Sequence, residues 1–201
     1  MTRVVHVSSA HPWSDNRIHY REAVSLARAG YDVTLVAVAT AEAPPSGQVR
    51  VITVPRLRRA WRVLVSGPRA IVAALKTGAQ IFHLHDPELI WAIPLLRAVG
   101  RAVIYDAHED LPVQVLDKPY ANAVTRPVLA AVARALCAVA GTSTAVIAAT
   151  EQVATRFPDT KTTVVRNFPR CVKRRRRRSP SAAGIRTWCT SARSVPRGAS
   201  T

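Results

Sequence analysis

Apolar residues along this chain fall into short β-branched runs separated by longer segments with helical spacing. The runs are RVVHVSS (3–9), YDVTLVAVA (31–39), VRVITVP (49–55) and the segments 80–85, 101–105, 144–149 and 162–169. Continuous rather than alternating apolarity is what strands buried on both faces require. Between them lie helix signals. Ser14 and Asp15 offer N-caps for a helix over 17–29, and Gly30 suits its C′ position. A second helical segment spans 56–76 on both sides of Gly67-Pro68, after a turn at 43–48. Asp86 and Pro87 fit the N-cap and first position of a helix that Gly100 ends, and further helices are expected over 122–139 and 151–157. Residues 127–149 read as a buried helix, a turn and a strand rather than a membrane span, because Arg134 and the stretch 141–144 interrupt them. Strands alternating with helices predict an α/β, Rossmann-like parallel sheet with helices on both faces.

In open sheets of this kind, ligands collect outside the carboxyl ends of the strands. Ser8, Ser9, His85, Asp86, Asp106, His108, Glu109 and Asp110 all follow strand runs. Asp86 reads first as a helix cap, whereas His108, set among Asp106, Glu109 and Asp110, reads as functional. His83 shares a strand face with His85 but lies deeper, which suggests a satisfied core histidine. Glu22 interrupts the apolar stripe between Ile18 and Leu26, and either lines the cleft or pairs with Arg17 or Arg21. Trp13 and Tyr20 suit sugar stacking or ordinary packing.

Several chemistries are excluded. The first strand-to-helix connection, SSAHPWSDNRIH, has no glycine to let a backbone approach a pyrophosphate, and no Walker-type phosphate loop occurs anywhere. HLHD (83–86) begins like a metallohydrolase motif, but its continuation is missing, so no metal site and no cofactor are expected.

Length and charge refine this picture. A chain of 201 residues, 48% hydrophobic, builds one sizeable core and an appendage. Its formal charge of +17 is uneven: residues 171–201 hold nine of the 29 Lys and Arg and none of the 12 acids. With few apolar residues and an Arg-Ser-Pro-Ala bias, 170–201 should be disordered, and its composition also fits out-of-frame translation. Cys137, Cys171 and Cys189 are too scattered for a disulfide framework or a zinc cage, the N-terminus lacks a secretory pattern, and a cytoplasmic setting follows.

The segments DNRIHYREAVSLARAGYDVTLVA, FHLHDPEL, VIYDAHED, VIAATE and VVRNFP, in this order and spacing, resemble the N-terminal domain of bacterial family 4 glycosyltransferases, the retaining GT-B enzymes. The resemblance covers about residues 3–169 and implies a 1–169 domain that holds the acceptor, with a second Rossmann-like domain binding the nucleotide-sugar donor. It places His108 in the catalytic cleft, with Asp106, Glu109 and Asp110 around it and His85 and Asp86 on the neighbouring strand end. Asn16 and Arg17 begin the first helix, where backbone amides favour an anionic or hydroxyl-rich group. The resemblance also implies an acceptor of the kind that is often lipid-linked, and a place in cell-envelope polysaccharide synthesis. Arg56, Arg58, Arg59 and Arg62, ahead of an apolar Trp-bearing helix, then suit peripheral attachment to an anionic membrane, a solvated basic face being the alternative. The pattern stops at Pro169, so a truncated or frameshifted product without sugar transfer of its own is expected. The alternatives are a half-enzyme with a separate donor subunit and a nucleic-acid-binding protein acting through residues 173–178.

Overall fold

The computed structural model describes residues 1–58, 61–117, 122 and 124–166. These fall in one compact unit, Met1–Phe168. The expectations for the basic tail, and for Arg59, lie outside the described residues.

Seven parallel strands form one sheet in the order β3-β2-β1-β4-β5-β6-β7. They are β1 (Arg3–Pro12), β2 (Asp32–Val38), β3 (Val49–Val54), β4 (Ile81–Leu84), β5 (Ala102–Ala107), β6 (Ala145–Ala148) and β7 (Thr162–Val164). The order reverses between β1 and β4, the switch point where a crevice opens at the carboxyl ends. Helix α1 runs as a wide π-type segment, Asn16–Ala23, and continues as Val24–Arg28. Its first turn is capped by Asp15, whose carboxylate accepts from the amides of Arg17 and Ile18 at 2.9 Å, and its end is closed by Gly30 at a φ of 92°. Helix α2 likewise joins a π-type segment, Arg62–Ser66, to Gly67–Lys76. Helices α3 (Ala92–Ala98), α4 (Leu111–Leu116), α5 (Arg126–Ala140) and α6 (Glu151–Ala154) follow.

β2 shows why its apolar run is continuous. Val33, Leu35 and Ala37 pack with Trp13, Ile18 and Ala23 on the α1 side, while Val36 and Val38 join Ala70, Ile71 and Ala74 of α2 on the other. A strand covered on both faces has no position for an exposed polar residue.

The sequence reading needs four corrections. Asp86 is no helix cap: Pro87–Leu89 is a single 3-10 turn, and the Asp86 side chain turns away from it toward β1. The segment after β5 is not a plain loop, since Asp110 caps α4 through the Val113 amide. Helix α5 buries one stripe, Ala133, Cys137 and Ala140, and exposes Val128 and Val132, so it is amphipathic rather than buried all round. β5 extends two residues beyond the expected end, which puts Asp106 inside the strand instead of after it.

Candidate functional site

Register brings the polar residues together. His6 pairs with His83 across β1 and β4, and His83 with Ile104 across β4 and β5. Because side chains alternate along each strand, His6, Ser8, His83, His85 and Asp106 all point to the face covered by α1. Five polar side chains thereby share one side of three adjacent strands, and all are buried.

α1 supplies the counter-charge. Arg17 Nη2 donates to Asp106 Oδ1 at 2.8 Å and Oδ2 at 3.1 Å, while its Nε donates to Glu22 Oε1 at 2.8 Å. One guanidinium holds two carboxylates, which gives the fully buried Asp106 side chain a charge-assisted partner. Glu22 pairs with Arg17, one of the roles the sequence left open, yet burial and the neighbouring Asp106 charge push its carboxyl up to about 7 against the pull of Arg17.

Around Asp106 stand four imidazoles. His85 Nδ1 is 3.3 Å and His83 Nε2 3.9 Å from Asp106 Oδ2, and His108 Nδ1 is 3.6 Å from Oδ1. His6 Nδ1 meets His85 Nε2 at 2.9 Å. Burial pulls His6 down to about 4 and His83 and His85 well below the usual histidine range, so at neutral pH they are uncharged. His108 is also lowered by burial, with Asp106 opposing. His83 is therefore not the satisfied core histidine the sequence suggests: its Nε2 has no hydrogen-bond partner.

A second carboxylate organises the rim. Asp86 Oδ2 accepts from Ser8 Oγ at 2.9 Å, the Ser9 amide at 2.6 Å and the Ala10 amide at 3.2 Å, binding the end of β4 to the end of β1. His11 lies over it, 3.5 Å from Asp86 Oδ1 and 3.4 Å from Asp15 Oδ2. The Asp15 hydrogen bond, with the Asp86 charge behind it, raises His11, and His11 in turn holds Asp15 below the usual carboxylate range. The His11 ring stands edge-on to His108, 6.3 Å between centroids, and His108 stacks on His85 at 5.9 Å.

The expected residues therefore divide. Arg17, His85, Asp106 and His108 form one cluster, Asp86 lies on its rim, and Asn16 opens α1 just before Arg17. Glu109 and Asp110 turn elsewhere: Glu109 accepts from Gln114, and Asp110 pairs with Arg156 at 3.0 Å. Trp13 is buried, its Nε1 donating to Thr40 Oγ1, and is a packing residue, while Tyr20 stacks on His19. Sequence reasoning missed His6 and His11. A lone histidine in RVVHVSS looks like a core residue until register sets it beside His83.

Residues 16–170 match the model of Glycosyltransferase Family 4, and the chain belongs to that family. Its fold is one Rossmann-like half of the GT-B architecture. A sucrose-phosphate synthase from Thermosynechococcus elongatus superposes with a TM-score of 0.57 at 18% identity over 83% of this chain and 48% of that one. A UGT transferase from Siraitia grosvenorii in complex with UDP gives 0.52 at 13% identity, over 83% and 50%. A transferase from Glycyrrhiza uralensis complexed with glycyrrhetinic acid 3-O-monoglucuronide gives 0.51 at 10%, over 84% and 49%. The chain thus spans about half the length of these proteins. No curated protein matches it.

Proposed function

We propose that residues 1–169 are the acceptor-binding half of a retaining GT-B glycosyltransferase that moves a sugar from a nucleotide-sugar donor, held by a separate donor domain, to an acceptor in the crevice above β1, β4 and β5. The observation carrying this reading is the convergence of Arg17, His85, Asp106 and His108 at the strand ends beside the switch point. Polar groups fixed there bind hydroxyls by charge-assisted hydrogen bonds, and His108, the outermost of the Asp106-linked imidazoles with 23% of its side chain exposed, is the one positioned to meet the transferred sugar. Asn16, at the start of α1, extends the acceptor site, whereas Glu109 and Asp110, engaged by Gln114 and Arg156, stay outside it, and no cofactor beyond the donor takes part. In this proposal the donor domain is either continuous with residues 1–169 or carried by a separate subunit.

The experiment joins residues 1–169 to the donor-binding half of a full-length family member and follows nucleotide release. Turnover that depends on His108 supports the reading; turnover indifferent to both His108→Ala and Arg17→Met removes the cleft from it.

The same reading places the domain peripherally on an anionic membrane. No helix among the described residues is long and apolar enough to cross one. Support comes from Trp61 and Leu64, 58% and 71% exposed beside Arg62 and shortly after Arg56 and Arg58. Arg62 also reaches Glu88 at 3.4 Å, which ties this segment to the rim. Co-sedimentation with vesicles containing anionic lipid, lost at high salt, is the expected result.

A further inference from the structure

Beneath the Arg17–Asp106 pair, His6, His83 and His85 crowd one another. Their ring centroids are 4.5 to 5.2 Å apart, and Glu22 reaches them from α1 with Oε2 3.9 Å from His85 Nδ1. One ligand atom from each of these four residues lies within 4.8 Å of the others. The same four residues each carry a buried nitrogen or oxygen without a hydrogen-bond partner: His6 Nε2, His83 Nε2, His85 Nδ1 and Glu22 Oε2. A native core rarely leaves such atoms unsatisfied, since each costs about 1–3 kcal/mol, and a shared ion would take up His83 Nε2 and Glu22 Oε2 directly, with His85 Nδ1 left to donate to Asp106 Oδ2.

We infer that His6, His83, His85 and Glu22 form a binding site for one divalent first-row transition ion of the zinc class. Imidazole nitrogens with one carboxylate are the donor set such an ion takes, in contrast to the all-oxygen sets of calcium and magnesium. Ligand atoms 2.0–2.1 Å from a tetrahedral ion are about 3.4 Å apart. The His6 Nδ1–His85 Nε2 separation of 2.9 Å is already close to that, and side-chain rotation closes the remaining gaps. A neutral imidazole has one lone pair, which tautomer exchange places on either nitrogen, so the proton now lying between His6 and His85 does not block coordination. Asp106 Oδ2, 3.3 Å from His85 Nδ1, supplies the carboxylate that commonly stands behind a ligating histidine and fixes its tautomer.

Four protein ligands with buried imidazoles describe a structural site rather than one open to substrate. An ion there fastens α1 to β1 and β4 directly below Arg17 and Asp106. This departs from the sequence expectation of no metal. HLHD looks like half a motif in the sequence because the further ligands, His6 and Glu22, precede it in the chain and are supplied by sheet register and by α1. The inference shares His85 with the proposed acceptor cleft, as a ligand beneath it, and needs no activity to be tested.

The test is titration of the full chain, stripped with a chelator, with Co²⁺ and then Zn²⁺. The expected result is one Co²⁺ per chain with visible d–d absorption, displacement by Zn²⁺, and a thermal midpoint that climbs with ion concentration. His83→Asn and Glu22→Gln should each weaken binding by more than the roughly 10–100-fold that loss of an outer-shell partner costs. Glu22→Gln is nearly isosteric and its side chain is 22% exposed, so it keeps the test decisive if His83→Asn fails to fold. Replacing Cys137, Cys171 and Cys189 by Ala should leave binding unchanged. Absence of binding at millimolar ion, binding by Glu22→Gln equal to that of the parent, or loss of binding on cysteine replacement would each overturn the inference.

Discussion

Arg17 and Asp106 are 89 positions apart in the chain and meet at 2.8 Å, the guanidinium 14% exposed and the carboxylate side chain fully buried. Removing one partner leaves the other charged in a low-dielectric setting, which costs far more than the pair is worth as a pair. Asp106→Leu should therefore lower unfolding free energy by about 3 kcal/mol, the low end because Glu22 still pairs with Arg17, while Arg17→Met combined with Asp106→Leu should cost clearly less than the sum of the two single changes. Urea unfolding of the four proteins reads this directly, and additive losses would show that the two residues act independently.

Asp86 makes a different claim, because its carboxylate substitutes for strand pairing at the ends of β1 and β4 by accepting from the Ser9 and Ala10 amides and the Ser8 hydroxyl. Asp86→Ala should cost about 3 kcal/mol, and Ser8→Ala, which removes one neutral donor, about 1 kcal/mol. If Asp86 were only a helix cap, the two losses would be similar and near 1 kcal/mol.

The His11–Asp15 contact sets a pH window. His11 is raised above its usual 6.5, so its contribution is complete below that value and fades as pH climbs through the folded-state pKa. Asp15 is lowered from 3.8, so its contribution is present above that value and is lost as pH falls toward its folded-state pKa. The pair stabilises most between these limits. With His11 42% exposed the effect is screened to below about 1 kcal/mol, and His11→Gln should flatten the stability profile above pH 6.5 and weaken its acid limb, because Asp15 loses the partner that lowers it.

Much of this was legible in the sequence, for stated reasons. The parallel sheet follows from runs such as DVTLVAV, apolar at successive positions because both faces are covered. The ends of α1 and α3 were marked by Asp15, by Gly30, and by Gly100 at a φ of 74°. The carboxyl-end cluster was visible because Asp106 and His108 interrupt an apolar run. Three features were not. The partner of Asp86 lies some 77 residues away on another strand, and nothing local distinguishes that from a cap. α4 is six residues long, below the length at which periodicity speaks. His6 becomes informative only through register with His83.

His108 links the fold to the proposed chemistry. Its side chain is 23% exposed and contributes little core burial, so His108→Ala should change stability by less than about 1 kcal/mol. In an enzyme completed with a donor domain, the same change should lower kcat by about 100-fold or more. A loss of turnover that merely tracked a loss of folded protein in circular dichroism would assign His108 to structure.

The most direct test of the acceptor-half account compares nucleotide release from a panel of nucleotide sugars by the chain alone and by residues 1–169 joined to a donor-binding half. Retaining transfer requires the donor diphosphate to be held and its developing charge stabilised, and the account assigns both tasks to the other domain. It predicts no turnover by the chain alone, turnover by the joined protein, and loss of that turnover with His108→Ala. Sustained release by the unmodified chain, at a rate the joined protein does not exceed, would contradict it.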